Sequence, residues 1–258
     1  MAQKPRGRPK AFNDKTDQNT VQALGRGLVL LEHLAQGPGR TLTDLAEDTG
    51  QAVATTFRAL QTLQAHGMVE VEEPGQLWHI GGGAFRIGSA FLRRTKVVER
   101  SRAPMEALMR DTGETANLGV EVGDEVLFLA QIETHQAIRA FFPPGTMGPM
   151  HVSGIGKALM AWYDPAKLSG IIARRGLPGF TPASLTTPEA LAADLAQTRA
   201  RGFAIDDQEK AQGMCCIAAP VFNAHGEPVA GISVSGPAFR MQVQDASRIG
   251  DLVRAAAD

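Results

Sequence analysis

Apolar residues recur at helical spacing in Val21, Leu24, Leu28, Leu31 and Leu34, which predicts an amphipathic helix with those side chains on its buried face. The run Gln36-Gly37-Pro38-Gly39 stops it. Thr43 reads as an N-cap with Asp44 in the first turn, where the helix dipole favours an anion. Leu45 and Ala46 then face inward before Gly50 closes this short helix. Ala54, Phe57, Leu60, Leu63 and Ala65 define a third apolar face, with Gln51, Thr55, Thr56, Arg58 and Thr62 mostly on the other side and Gly67 as the stop. Met68-Val69-Glu70-Val71 and Leu77-Trp78-His79-Ile80 flank Glu72-Glu73-Pro74-Gly75-Gln76, which reads as two strands around a tight turn. Three helices followed by a β-hairpin is the order of a winged helix-turn-helix.

The pattern changes after residue 80. Helical periodicity runs from Val98 to Met109, and Asn117 to Val122, Glu125 to Ile132 and Ala137 to Phe142 alternate or run apolar like antiparallel strands. Helices follow near Gly156 to Tyr163, Pro165 to Ala173 and Pro188 to Arg201. Strands return at Phe203 to Ile205, Met214 to Phe222 and Val229 to Ser235, and Gln242 to Ala257 closes as a helix. The fold class is therefore α/β in the α+β sense, an antiparallel sheet flanked by helices behind a winged helix-turn-helix. The segments divide as an arm over 1–17, the winged unit over 18–80, a linker helix over 81–97 and the sheet domain over 98–258.

Composition sharpens this. A chain of 258 residues with 43% hydrophobic content is long enough for two domains. A net charge of −1 excludes a protein that coats nucleic acid by bulk attraction, so any DNA contact is local. The charge is also segregated. Residues 1–10 carry Lys4, Arg6, Arg8 and Lys10 with no acid, residues 11–80 are net −5, and residues 81–102 are net +5. Aromatic content of 5%, with Tyr163 as the single tyrosine, argues against a stacking platform for single strands. Cys215 and Cys216 are sequence neighbours, which gives neither a spaced zinc pair nor a disulfide framework, and no metal site is expected. No apolar run approaches the ~18 residues of a membrane span and no signal peptide is legible, so a cytoplasmic location is expected.

Two sets of residues carry candidate chemistry. Arg6-Gly7-Arg8-Pro9-Lys10 has the form of an AT-hook core: the glycine permits close approach, the proline holds an extended path and two arginines suit a narrow minor groove. On the third helix, Gln51, Thr55, Thr56 and Arg58 suit base or phosphate contact in a major groove. In the sheet domain, Ser233 and Ser235 stand two apart on a strand and share one face, while Ser153-Gly154-Ile155-Gly156 precedes a helix whose backbone N–H groups favour an anion. These are donors suited to a small acid. Met147 and Met150 are candidate apolar walls, and His151 reads as a hydrogen-bonded structural histidine.

The stretches Val21-Gln22-Ala23-Leu24-Gly25-Arg26-Gly27-Leu28-Val29-Leu30-Leu31-Glu32, Thr43-Asp44-Leu45-Ala46-Glu47 and Arg58-Ala59-Leu60-Gln61-Thr62-Leu63 resemble the DNA-binding domain of the IclR family of bacterial transcription regulators. So do, for its effector domain, Ser153-Gly154-Ile155-Gly156-Lys157-Ala158-Leu159, Arg201 to Glu209, Cys216-Ile217-Ala218-Ala219-Pro220-Val221 and Gly231 to Pro237. The resemblance spans about residues 20 to 257. It implies a GAF-like effector domain, a homodimer or dimer of dimers on a palindromic operator, and no enzymatic activity. By resemblance to glyoxylate- and pyruvate-responsive members, including glyoxylate-sensing regulators of the β-hydroxyaspartate pathway, Gly154, Ile155, Asp206, Cys216, Ser233 and Ser235 match the effector-contacting positions. The implied effector is a small 2-oxo acid, glyoxylate first, with no further cofactor. One departure stands out: where the family usually has a proline, a basic residue and a serine at the start of the recognition helix, this chain has Ala52, Val53 and Ala54.

Two other classes compete. As an enzyme, the chain would use Cys216 as a nucleophile with His151 or His225 as its base, a hydrolase or amidase, although no ordered Cys–His–Asn/Asp signature is present. As a binding module, the second half would sense a metabolite while the first docks a protein instead of DNA.

Overall fold

The computed structural model describes residues 20–242 and 245–258, so Arg6 and Arg8 of the arm lie outside the described residues. The chain divides after Arg94 into two compact units.

The first unit has helices α1 (Gln22–Leu34), α2 (Leu42–Asp48) and α3 (Val53–Ala65), the hairpin β1 (Val69–Glu72) and β2 (Leu77–Ile80), and α4 (Gly82–Arg94). Its core gathers Leu30, Leu34, Leu45, Leu60, Val69 and Trp78. At about 1.5–3 kcal/mol per buried large side chain, this cluster is what holds three short helices on a two-stranded wing. The core stripe of α1 differs from the expected one. Gly27, Leu30 and Leu34 are buried, while Val21, Leu24 and Leu28 are exposed. The helix carries two overlapping apolar stripes, and packing on α3 and β2 selects one of them. Likewise the cap of α2 is Thr41, not Thr43: its Oγ1 accepts the Asp44 N–H at 3.2 Å. On α3, Leu60 and Thr56 point inward and Phe57 outward, so the expected face is rotated by about one residue's turn of the helix.

The second unit begins with α5 (Val97–Thr112) and builds one six-stranded antiparallel sheet from β3 (Thr115–Val122), β4 (Glu125–Ile132), β5 (Met147–Pro149), β6 (Ala204–Asp207), β7 (Met214–Phe222) and β8 (Pro228–Pro237). The spatial order is β5-β4-β3-β8-β7-β6. Between β5 and β6 lie a 3-10 turn over Met150–Val152 and helices α6 (Gly154–Met160), α7 (Pro165–Arg175) and α8 (Pro188–Arg201), and α9 (Ala246–Ala257) ends the chain. Ala137 to Phe142, expected as a strand, is irregular. Pro143 and Pro144 follow it and offer no N–H to a ladder, and Phe142 instead stacks on Phe128 with ring centroids 4.9 Å apart. The third strand of that side is the short β5, which pairs with β4 from Met147 to Pro149.

Alternation along β8 buries Ile232 and Val234 on one face and Ser233 and Ser235 on the other. Helix α6 covers the serine face, and α5 and α9 pack on β3, β7, β8 and each other. A sheet buried on both faces requires every polar side chain within it to find a partner, and that requirement shapes the site.

Candidate functional site

Strand register sets four of the six sequence-identified positions, Asp206, Cys216, Ser233 and Ser235, beside one another, and Gly154 and Ile155 come from α6 above them. Asp206 on β6 is opposite Cys216 on β7, and Cys216 is opposite Ser235 on β8. Ser233 is opposite Asn117 on β3, and Asn117 is opposite Gln131 on β4. Directly opposed residues share a face, so a polar row crosses five strands beneath α6. Gly154, Ile155, Asp206, Cys216, Ser233 and Ser235 all line one cavity of about 150 Å³.

The helix reaches the sheet because glycines allow it. A Cβ on Gly154 would sit 2.7 Å from the Cys216 Sγ, and one on Gly231 would sit 2.8 Å from the Ile155 side chain. Nothing larger fits at either position without displacing a neighbour. Ser153 caps α6, its Oγ accepting the Gly156 N–H at 3.4 Å. The stacked Phe128 and Phe142 form an apolar wall, and Met147 and Lys210 also line the cavity. Met150 does not; it is core.

The floor is polar and poorly solvated. Burial pushes the Asp206 carboxyl up to about 6, against the Glu209 and Lys210 backbone N–H groups and the Lys157 ammonium that favour its charged form. The Glu209 N–H donates to Asp206 Oδ1 at 2.7 Å. Glu209 is itself pushed up to about 7 by burial, although Lys157 faces it. Lys157 is wholly buried, its Nζ donating to Glu209 Oε1 and the Ile205 carbonyl and lying 3.1 Å from Asp194 Oδ2. Burial and the nearby Asp206 push the Cys216 thiol up to about 11, so it is a neutral thiol near neutral pH. Its neighbour Cys215 turns to the other face, its Sγ 3.4 Å from Asp207 Oδ1. His151 is buried and its Nε2 lies 2.9 Å from the Pro178 carbonyl, a structural role, with burial holding its pKa below the usual histidine value.

Sequence reasoning missed three contributors. Asn117 is fully buried, and its Nδ2 donates to Ser235 Oγ at 3.2 Å and Ser233 Oγ at 3.4 Å. Gln131 Nε2 donates to Asn117 Oδ1 at 3.0 Å. Lys210 brings a cation to the cavity, its Nζ 3.5 Å from the Phe180 ring centre. An asparagine inside the otherwise apolar run of β3 was the one available signal.

In the first unit, Arg58 is exposed on α3 and Thr55 is half-buried beside it. Gln51 is half-buried just before the helix, its Nε2 donating to the Arg26 carbonyl at 3.5 Å. Thr56 is corrected: it is fully buried and its hydroxyl donates to the Ala52 carbonyl, so it faces the core instead of a groove. Gln61, one turn from Arg58, is exposed and joins the outward face. Ala52, at the helix start, supplies no side-chain cap.

A winged helix-turn-helix and a domain with a polar-floored cavity in one chain define a transcription regulator that binds DNA and a small-molecule effector. The model for the IclR helix-turn-helix domain matches residues 23–73, and that for the bacterial transcriptional regulator IclR C-terminal domain matches residues 89–258. The HTH-type transcriptional regulator BhcR of Paracoccus denitrificans is 49% identical over 98% of this chain and 91% of its own length. The transcriptional repressor IclR of Escherichia coli is 39% identical over 98% of this chain and 93% of its own. An IclR homologue of Microbacterium hydrocarbonoxydans, solved with 4-hydroxybenzoate, shares the fold with a TM-score of 0.78 at 24% identity, covering 91% of this chain and 95% of that one. The chain belongs to the IclR family of bacterial transcriptional regulators. These relatives are regulators and repressors, which sets the hydrolase or amidase reading aside. Among the described residues, no helix is long and apolar enough to cross a membrane.

Proposed function

We propose that this regulator senses a small 2-oxo acid, glyoxylate foremost, in the cavity beneath α6, and that occupancy alters its hold on a palindromic operator. The observation that carries the reading is the convergence of Gly154, Ile155, Asp206, Cys216, Ser233 and Ser235 on one small cavity. Two hydroxyls, a thiol and backbone N–H groups suit the acid and carbonyl oxygens, Lys210 adds a cation, and the Phe128–Phe142 wall supplies an apolar side. Asp206 does not attract an acid; it accepts a hydrogen bond from a hydrated aldehyde, a bound water or a neighbouring donor. The size of the cavity suits a molecule of a few heavy atoms.

On the DNA side, Arg58, Thr55 and Gln51, with Arg6 and Arg8 of the arm, are the proposed contacts, in a cytoplasmic homodimer or dimer of dimers matching the operator's two-fold symmetry. Calorimetric titration with glyoxylate and pyruvate, paired with fluorescence anisotropy on operator DNA, tests the whole. Wild type is expected to bind the acid and change its DNA affinity, and Ser233→Ala with Ser235→Ala to lose both responses. An intact response in the double variant overturns the pocket assignment, and a lack of sequence-preferring DNA binding overturns the operator reading in favour of protein docking.

A further inference from the structure

A serine hydroxyl is both donor and acceptor, so two serines on a cavity floor do not by themselves choose between an acid and an amide ligand. The choice depends on where their hydrogens are sent. Beside Ser233 and Ser235, on the neighbouring strand β3 and the same sheet face, stands Asn117, fully buried and absent from the cavity lining. Its single side-chain nitrogen carries two hydrogens, one aimed at each serine oxygen. Its oxygen accepts the Gln131 N–H. One lone pair on each serine is thereby taken by Asn117, which leaves both O–H hydrogens to be directed away from it.

We infer that Asn117, held in its orientation by Gln131, is a positioning residue that makes Ser233 and Ser235 paired donors toward the cavity and so selects a ligand with an acceptor group there. The inference rests on the carboxylate reading of the pocket. The relay Gln131 to Asn117 to the two serines runs across strands β4, β3 and β8, and reversing any donor in it reverses the rest. In the reversed state the serines would present lone pairs to the cavity beside the Asp206 carboxyl, which welcomes a donor such as an amide NH₂ and repels an acid.

Asn117→Asp keeps the size and shape of the side chain and still accepts from Gln131, but its second oxygen now accepts the serine hydrogens. Gln131→Glu reaches the same end without touching Asn117, because an acceptor at 131 draws the amide nitrogen to itself and leaves the Asn117 oxygen facing the serines. Position 131 is half-buried, so this second variant carries the test where the first fails to fold. Glyoxylate and its amide, glyoxylamide, are titrated by calorimetry into wild type and both variants, with folding checked by circular dichroism. Wild type is expected to prefer the acid. In either folded variant the acid is expected to weaken on the order of 100-fold, two charge-assisted bonds being lost, while the amide holds or gains. Equal loss of both ligands in a folded variant, or an unchanged preference for the acid, overturns the inference and leaves the carboxylate pocket standing. Binding of neither ligand to wild type overturns the carboxylate reading and the inference with it.

Discussion

Asp206 should make effector binding strongly dependent on pH. Burial pushes its carboxyl up to about 6 in the unliganded domain. A ligand carboxylate in the same cavity, roughly 5 Å away, adds about 3 kcal/mol of repulsion at an effective dielectric near 20, and so moves Asp206 up by about a further two pH units in the complex. Between about pH 6 and pH 8 the free pocket is therefore ionised while the occupied pocket is protonated, and binding takes up close to one proton. Affinity is expected to fall about tenfold for each unit of pH rise across that window and to level off below it. Calorimetry in two buffers of different ionisation heat reads the proton uptake directly. Asp206→Asn removes both the slope and the uptake. An affinity constant across this pH range, or a slope that survives in the asparagine variant, refutes the reasoning. The same raised pKa has a stability consequence of fixed sign. The folded state holds the Asp206 proton more tightly than the unfolded chain, so its contribution is present at acid pH and is lost as pH rises from about 4 to about 6.

Lys157→Met leaves the buried Glu209 without its cation and Asp194 with only the longer Arg201 contact at 4.0 Å, and is expected to cost about 3–5 kcal/mol near neutral pH; an unchanged denaturation midpoint contradicts this. Arg58→Ala should weaken operator binding by about 1–3 kcal/mol, whereas Thr56→Val, a change inside the core, should leave DNA affinity within about 0.5 kcal/mol. Equal losses in anisotropy would show that the outward face of α3 is not the reading face. Deleting residues 1–10 removes four cations and should both weaken binding and flatten the salt dependence of log K by up to about 3–4. The same affinity and slope after deletion would remove the arm from the interface, and with it the idea that the arm offsets the apolar Ala52-Val53-Ala54 start of α3.

Most of the element order, the two-unit division and the shared face of Ser233 and Ser235 were legible in the sequence, because periodicity, turn residues and i, i+2 spacing are local properties of the chain; Asp206 and Cys216 were singled out only by resemblance to the family. Leu30 against Leu28 was not: both stripes of α1 are apolar, and only packing on α3 and β2 decides which one is buried. The same holds for Thr56, whose methyl and self-satisfied hydroxyl make it a tolerable core residue that polarity alone assigns to the surface. Ala137 to Phe142 has the composition of a strand, yet Phe142 contributes more as a wall stacked on Phe128 than a ladder running into two prolines allows.

What the sequence by itself determined was therefore the set of parts: a winged helix-turn-helix, a sheet domain, and two serines on one face of a strand. Only the tertiary structure decided which polar groups meet. Asn117 finds Ser233 across 116 residues of chain, through the antiparallel register of β3 with β8. Register is fixed by the burial of both sheet faces together, since a slip of one residue would send the polar row into the opposite core.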